Sequence, residues 1–333
     1  MNHTIHRPQT AKSEAFFTFA EIFLMLILFC YLLFYAQEAL TGVTDGLRIC
    51  LQRVIPALFP FMVVSRIFVT SGMAKKLGTK LSRPFSKLFG INGNGAAALI
   101  VGLLSGFPLG AQCAVQLYEN NLCSKRETEY LLAFCSNTGP SFLIGSVGIA
   151  LWGNEQIGTI LFLAQAISAL SCGMLFGIFC KKRSASMNDW QEIEFREDHT
   201  AIRLSLLPDA ITESVVPMLN VCAFVIVFRI IFLAVSHLLV LWDAGVIISS
   251  IFACFLEVST GVGEAAALQQ ANPAIAIALT GAAIGWSGLS VHLQIIAITA
   301  PHRLSLKPYV FGKIWSIVFT AGITYILSKI FLF

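Results

Sequence analysis

The chain has 333 residues, of which 56% are hydrophobic and 12% are charged. Roughly 25% of the residues in an ordinary soluble domain are charged, so the composition excludes a typical soluble protein. Apolar runs of about twenty residues favour membrane-spanning helices over the roughly ten-residue strands of an outer-membrane barrel. The formal net charge is +4, and in such a protein the lipid bilayer, not a nucleic acid, is the expected partner. The sequence therefore predicts an all-α polytopic protein of the cell membrane.

The nine cysteines are scattered through apolar surroundings and show neither CxxC nor Cys/His spacing. This distribution is typical of small buried apolar residues, and not of a zinc site or a disulfide framework. We expect no metal site and no cofactor.

The N-terminal part of the chain predicts a cytoplasmic tail and two crossings. Residues 1–15 are polar and suit a short tail. The apolar run at 16–40 is too long for a signal peptide and lacks its small-residue cleavage pattern, so we expect a retained transmembrane helix. An amphipathic connection over 41–53 at the far interface and a returning span over 54–72 should follow.

The segment 73–89 predicts an amphipathic helix on the cytoplasmic face. Apolar side chains recur there at near-helical spacing, at Met73, Leu77, Leu81, Phe85 and Phe89. Between them lie Lys75, Lys76, Lys80, Arg83 and Lys87. The cations should lie near anionic lipid headgroups.

The apolar stretch at 99–148 is interrupted twice, by SGFPLG at 105–110 and by SNTGP at 136–140. The arms of the first interruption, 96–106 and 109–122, are too short to span and predict a re-entrant hairpin. The second interruption breaks a span at 130–151. Unpaired backbone at membrane depth must be buried in protein or line a cavity, which predicts a substrate site here. Ordinary Gly and Pro kinks in packed helices are the alternative.

The first half should end with an outer turn at 153–156 and a span at 157–180 that returns to the cytoplasm. We therefore divide the chain into a first repeat at 41–180, a polar cytoplasmic linker at 181–206 and a second repeat at 207–333.

The second half predicts the same elements again. Its opening at 208–232 resembles 44–68, since each has a polar turn, a proline and an apolar run that ends near an arginine. Matching segments follow: a hairpin over 245–270 with STGVGE (259–264) in place of SGFPLG, a span over 274–300 with GWSGLS (285–290) opposite SNTGPS (136–141), and a last span over 308–332.

The side on which each cation falls predicts that the two repeats are inverted. This path places Arg48, Arg53 and Lys329 outside and Arg66 and Arg229 within spans. It places all the other Lys and Arg residues, including Lys313, on the cytoplasmic side. The excess of positive residues inside agrees with the positive-inside rule. The predicted fold has two inverted-topology repeats, each with a re-entrant helical hairpin and a broken transmembrane helix. This architecture is typical of alternating-access transporters.

Small polar and flexible residues cluster at the interruptions and form the predicted substrate site. In the first half they are Gly106, Pro108, Gly110, Asn137, Thr138, Gly139 and Ser141. In the second half they are Glu257, Ser259, Thr260, Gly261, Ser287, Ser290, His292 and Gln294. Together they supply the donors and acceptors that a small polar substrate needs. Helix packing through small residues, and a satisfied buried histidine, are the alternatives.

Three charged residues inside predicted spans need partners. Glu257 is placed to bind a coupling proton or sodium ion, and its alternative role is a structural hydrogen bond to a hairpin tip. Arg66 and Arg229 can pair with Glu257 or with an anionic substrate, or can extend to the headgroups.

Three motifs carry a resemblance to a known family: LLSGFPLGA, LLAFCSNTGPSFLIGSVG and GLSVHLQ. They resemble the sporulation integral membrane protein family, whose halves are nucleoside-recognition (Gate) domains related to concentrative nucleoside transporters. The resemblance covers about residues 40–330 and implies two inverted Gate-like repeats. In spore formers it implies movement of dipicolinate across the outer forespore membrane.

The favoured function is transport of a small polar or anionic molecule, with a nucleoside carrier and a non-transporting scaffold as alternatives. The sequence has no HExxH or GxSxG motif, so no enzyme is predicted. A homo-oligomer is left open.

Overall fold

The computed structural model describes residues 25–26, 29–184, 206–241 and 245–331, and every regular element in them is a helix. The predicted tail at 1–15, residues 16–24 and 27–28 of the predicted span at 16–40, and residues 185–205 of the predicted linker lie outside the described residues. Four of the described helices are long and apolar enough to cross a membrane: Glu155–Ile178, Leu206–Ser236, Pro273–His302 and Lys307–Phe331.

The chain is continuously helical from Ala36 to Thr70. Helix α1 (Ala36–Ile49) runs through a π-helical turn, Cys50–Val54, into α2 (Ile55–Thr70). The predicted connection at 41–53 is therefore wrong. Pro56 is the second residue after the π-turn, and because proline has no N–H, the ladder of hydrogen bonds is interrupted there without ending the helix.

The small residues of α1, Ala39, Gly42 and Gly46, are buried, and the helix packs against a second long helix, α9 (Leu206–Leu241). A Cβ added at Gly46 would lie 2.9 Å from Ile226 Cα, so the two helices approach closely. The Arg229 guanidinium lies 3.4 Å from an Asp45 carboxylate oxygen across this contact. Packing against α9 buries the small-residue face of α1, while contact of its exposed polar face with a membrane surface stays a prediction.

The amphipathic helix predicted at 73–89 is confirmed as α3 (Met73–Phe89). Glycines in the left-handed region flank it, Gly72 at φ 75° and Gly90 at φ 63°, which a glycine adopts without a steric penalty. Its C-terminal apolar side chains, Phe85 and Phe89, are buried, while Lys76, Lys80, Arg83 and Lys87 are exposed. Contact of these cations with lipid headgroups stays a prediction.

Two pairs of short helices form helical hairpins. The first pair, α4 (Gly95–Ser105) and α5 (Leu109–Glu119), has its tip where SGFPLG predicts it. The second pair, α10 (Val246–Leu256) and α11 (Val258–Ala267), has its tip at Glu257, so STGVGE is not the interruption but the first part of α11. Re-entry of either hairpin into the membrane stays a prediction.

Two further helices are broken where the sequence predicts. In the first half, α6 (Lys125–Cys135) and the π-helical α7 (Ser141–Leu151) are separated by the non-helical Ser136–Gly139 segment. In the second half, α12 (Pro273–Trp286) and α13 (Gly288–Thr299) meet at Ser287, whose φ is 72°. We call these interruptions the first and the second break.

Each half closes with a long helix, α8 (Glu155–Ser184) or α14 (Lys307–Phe331). The two halves thus repeat the same order: a long helix, a hairpin, a broken helix and a long helix. Helices α8 and α14 pack against each other and join the halves. The inverted orientation of the halves stays a prediction.

Polar contacts gather at one end of the molecule. The His302 side chain pairs with Glu119 at 3.1 Å, and the Ser305 N–H donates to Glu129 at 2.8 Å. Near the opposite end, Trp152 and Leu268 belong to one apolar cluster. We call the first of these ends the His302 end and the second the Trp152 end.

The assigned topology predicts that the Trp152 end faces outward. Cysteines at Gln156 and Gln270, both exposed there, should react with a membrane-impermeant maleimide on intact cells. A cysteine at Lys80 on α3 is the matched control and should react only after permeabilisation. Reaction at Lys80 alone in intact cells would reverse the assigned orientation.

Candidate functional site

The tip of the first hairpin lies against the first break. Gly106 has φ 87°, and a Cβ added to it would lie 2.6 Å from the backbone nitrogen of Gly139. A Cβ added at Gly139 would in turn lie 3.0 Å from the carbonyl oxygen of Ser105. Glycine is needed at both positions because backbone meets backbone there.

The tip of the second hairpin lies in the same way against the second break. A Cβ added at Gly288, whose φ is 77°, would lie 2.8 Å from the Val258 nitrogen. The Trp286 indole N–H donates to the Phe255 carbonyl at 2.9 Å. Each hairpin is therefore held against the broken helix of its own half.

Both tips, the first break and the start of α13 after the second break line one cavity, which we call the central cavity. Its empty volume, counted with its opening, is about 520 Å³. The polar part of its wall consists of Thr138, Gly139, Glu257, Ser259, Ser290 and Gln294. The remaining wall is apolar and includes Phe107 and Phe142. A mostly apolar pocket with a few convergent polar groups is typical of a small-molecule site.

A wider cleft of about 820 Å³ adjoins the central cavity and shares Val221 and Gln294 with it. Its wall includes Arg66, Glu119 and His302, so the cleft reaches the His302 end of the molecule. Pro108, predicted as a site residue, lines this cleft.

Glu257 caps helix α11 with both carboxylate oxygens. They accept the backbone N–H groups of Ser259 at 2.9 Å and Thr260 at 2.7 Å, and the residue is 3% exposed. Such bonds are expected if Glu257 has the alternative, structural role of holding a hairpin tip. Binding of a proton or a sodium ion by Glu257 stays a prediction.

The two arginines predicted as charge partners do not pair with Glu257. Arg66 pairs with Glu213 on α9, and Arg229 pairs with Asp45. Arg66 also lines the wider cleft, so it remains available to a ligand there.

Several predicted site residues do not line the central cavity. A Cβ at Gly110 would overlap the Cys135 carbonyl oxygen, and one at Gly261 would overlap the Cys254 backbone. The Asn137 amide donates to the Phe134 carbonyl at 2.8 Å. Ser141 is exposed on α7. These residues shape the hairpins and the first break.

Lys313 on α14 is a functional candidate that the sequence analysis missed. Its ammonium donates to the Ser136 carbonyl at 2.7 Å and to the Ser287 hydroxyl at 2.8 Å, and the residue is 3% exposed. Assigning Lys313 to the cytoplasmic surface is therefore wrong. A lysine inside an apolar run was the available signal, the same one that singled out Arg66 and Arg229.

Two further side chains, Gln165 and His292, contact residues at or next to the breaks. The buried Gln165 amide on α8 donates to the Thr138 hydroxyl at 3.3 Å, a contact that the sequence analysis also missed. His292 Nδ1 lies 2.8 Å from the Gly288 carbonyl oxygen, and its ring lies between those of Trp286 and Tyr309.

Comparison with known proteins confirms the predicted resemblance. The family model described as nucleoside recognition (Gate) matches residues 51–176, which contain the first hairpin and the first break. Over 320 residues the chain is 25% identical to the sporulation integral membrane protein YlbJ of Bacillus subtilis (strain 168), covering 88% of this chain and 78% of that protein. No solved structure matches the chain. With its four long apolar helices, the chain is a multi-pass membrane protein similar to that relative.

Proposed function

We propose that this protein is a transporter that moves a small molecule through the central cavity by alternating access. The observation that carries the proposal is that the hairpin tip and part of the broken helix from each half line the same cavity. Paired broken helices at the contact between two repeats are typical of secondary transporters. An inverted relation of the halves is part of this proposal.

Contacts between the halves support a two-fold relation. Helix α5 of the first hairpin packs against α13, and helix α11 of the second hairpin packs against α7. Each hairpin thus contacts the second arm of the broken helix in the other half. Movement of one half against the other changes the walls of the central cavity, which alternating access requires.

The two ends of the molecule differ in a way that fits one state of such a cycle. The wider cleft joins the central cavity to the His302 end. Toward the Trp152 end, an apolar cluster closes the protein and includes Leu143, Val147 and Val262. We infer a state open toward the His302 end.

The walls favour a flat molecule with an apolar body and a polar edge. Phe107 and Phe142 offer apolar contact, while Ser259, Ser290 and Gln294 offer hydrogen bonds. The buried side-chain oxygen of Gln294 has no hydrogen-bond partner among the described residues, so a ligand donor can satisfy it. An anion entering by the cleft meets Arg66 first. Dipicolinate, at the outer forespore membrane of a spore former, and nucleosides both fit this description and belong in the first test.

A ligand screen tests this function. The purified protein is heated with dipicolinate, other aromatic dicarboxylates, nucleosides and small anions, since a ligand that binds the folded state raises the thermal midpoint. Ligands that raise it are then tested for flux into liposomes. We expect saturable flux of at least one class, and an absence of flux for every class in correctly inserted protein would favour the scaffold.

Substitution of the polar wall should weaken binding of a ligand found in this screen. We expect Ser290→Ala and Gln294→Ala each to cost roughly 1–3 kcal/mol, because a polar group of the bound ligand loses its partner. That is about a fivefold to 150-fold rise in Kd by titration. The control is Thr159→Ala on α8, an exposed residue whose hydroxyl donates within its own helix. Unchanged Kd in both wall variants would place the ligand elsewhere.

A further inference from the structure

We propose that the Lys313 ammonium fills a monovalent-cation site formed jointly by the two breaks, so that a proton on this lysine, and no free sodium ion, controls their contact. One ligand, the Ser136 carbonyl, comes from the first half, and the other, the Ser287 hydroxyl, comes from the second. The side chain therefore joins two segments that are far apart in the sequence. The cation site is inferred from the breaks themselves, while its role in coupling rests on the proposed function.

The local sequence explains why the Ser136 carbonyl needs a donor. In a continuous helix this carbonyl would accept the N–H of residue 140, but residue 140 is proline and has no N–H. A buried carbonyl without a donor is costly, so an outside donor is expected. Lys313 is that donor.

The second ligand is oriented by its own break. Ser287 has left-handed φ, and its hydroxyl donates to the Ile284 carbonyl at 3.1 Å. The hydroxyl hydrogen is thus used, and the oxygen lone pairs face the ammonium. Backbone carbonyls at unwound helices are the groups that hold sodium ions in transporters. The Lys313 ammonium occupies a site with oxygen ligands of this kind, in the place of a sodium ion.

Within the described residues, no carboxylate pairs with Lys313. The titratable groups that face it are Cys135 on α6, Cys172 on α8, His292 on α13 and Tyr309 on its own helix, whose ring centroid lies 5.8 Å from Nζ. Helix α12 contributes the neutral Ser287 hydroxyl. A buried ammonium with no carboxylate among these groups depends on its oxygen ligands.

Proton loss changes this contact directly. One N–H bond of the ammonium breaks, the electron pair stays on nitrogen, and water takes the proton as hydronium. The neutral amine has two donors and no charge, so its bonds to both breaks weaken, because charge-assisted bonds are roughly twice as strong as neutral ones. Uptake of a proton restores the contact. The buried Tyr309 hydroxyl and His292 Nε2, for which the described part of the chain offers no hydrogen-bond partner, lie near this position.

Thermal midpoints of the purified full-length protein in sodium, methylammonium or choline chloride test the inference. The wild-type midpoint should be the same in sodium and in choline, because the site is already filled. Lys313→Ala should have a lower midpoint in choline and recover part of the loss in sodium or methylammonium, which can enter the emptied site. Lys313→Met keeps the stem without the donors and should be destabilised without recovery.

The matched control is Lys329→Ala, near the end of the same helix, which should respond to no cation. Sodium-specific stabilisation of the wild type would overturn the inference, and this measurement does not require any variant to fold. Recovery of Lys313→Ala no greater than that of Lys313→Met would also overturn it. Neither result depends on a substrate, so failure of the transport proposal would appear separately, as missing flux.

Discussion

Gly312→Ala is expected to destabilise the protein strongly. A Cβ at this position on α14 would overlap the carbonyl oxygen of Ala133 on α6, and backbone cannot give way as a flexible side chain does. Helix α14 must then move away from α6 and carry Lys313 with it. Overpacking of this kind typically costs about 1–3 kcal/mol, and contact with backbone favours the upper end. The thermal midpoint in detergent measures the loss.

Gly322→Ala on the same helix is the matched control. No atom lies within 4 Å of a Cβ added there, and the residue is exposed. Alanine in a helix interior is favoured over glycine by roughly 0.5–1 kcal/mol, so this variant should be neutral or slightly more stable. Equal midpoints for the two variants would show that α14 does not approach α6 this closely.

Glu257→Gln is expected to weaken the tip of the second hairpin and to abolish or strongly reduce flux. The carboxylate satisfies two backbone N–H groups, whereas a carboxamide has one acceptor oxygen and turns its NH₂ toward the other donor. Loss of a hydrogen bond to a charged group costs about 1.5–3 kcal/mol. The fall in thermal midpoint and the flux into liposomes are measured together.

Glu264→Gln is the control on the same helix, at a half-exposed position, and should behave like wild type. Normal stability with lost flux in Glu257→Gln would assign Glu257 to ion or substrate binding beyond its capping role. Normal stability together with normal flux would contradict both roles.

The sequence by itself predicted the elements whose causes are local. The helical spacing of the apolar residues in 73–89 indicated α3, and the Gly and Pro residues of SGFPLG and SNTGP indicated the first tip and the first break. These residues affect the backbone only within a few positions along the chain, so the local sequence is enough to predict these elements. The second tip was misplaced by two residues because a side chain, Glu257, starts α11 there, while STGVGE contains glycines that the helix tolerates.

Tertiary structure decided the packing of α1 and the position of Lys313. The pattern at 41–53 does not say which helix covers its small-residue face, and the structure shows that α9 does so, through Ile226. The Ser136 carbonyl lies 177 residues from Lys313 along the chain. No local rule can join such groups, because which donor reaches a freed carbonyl depends on how the helices pack.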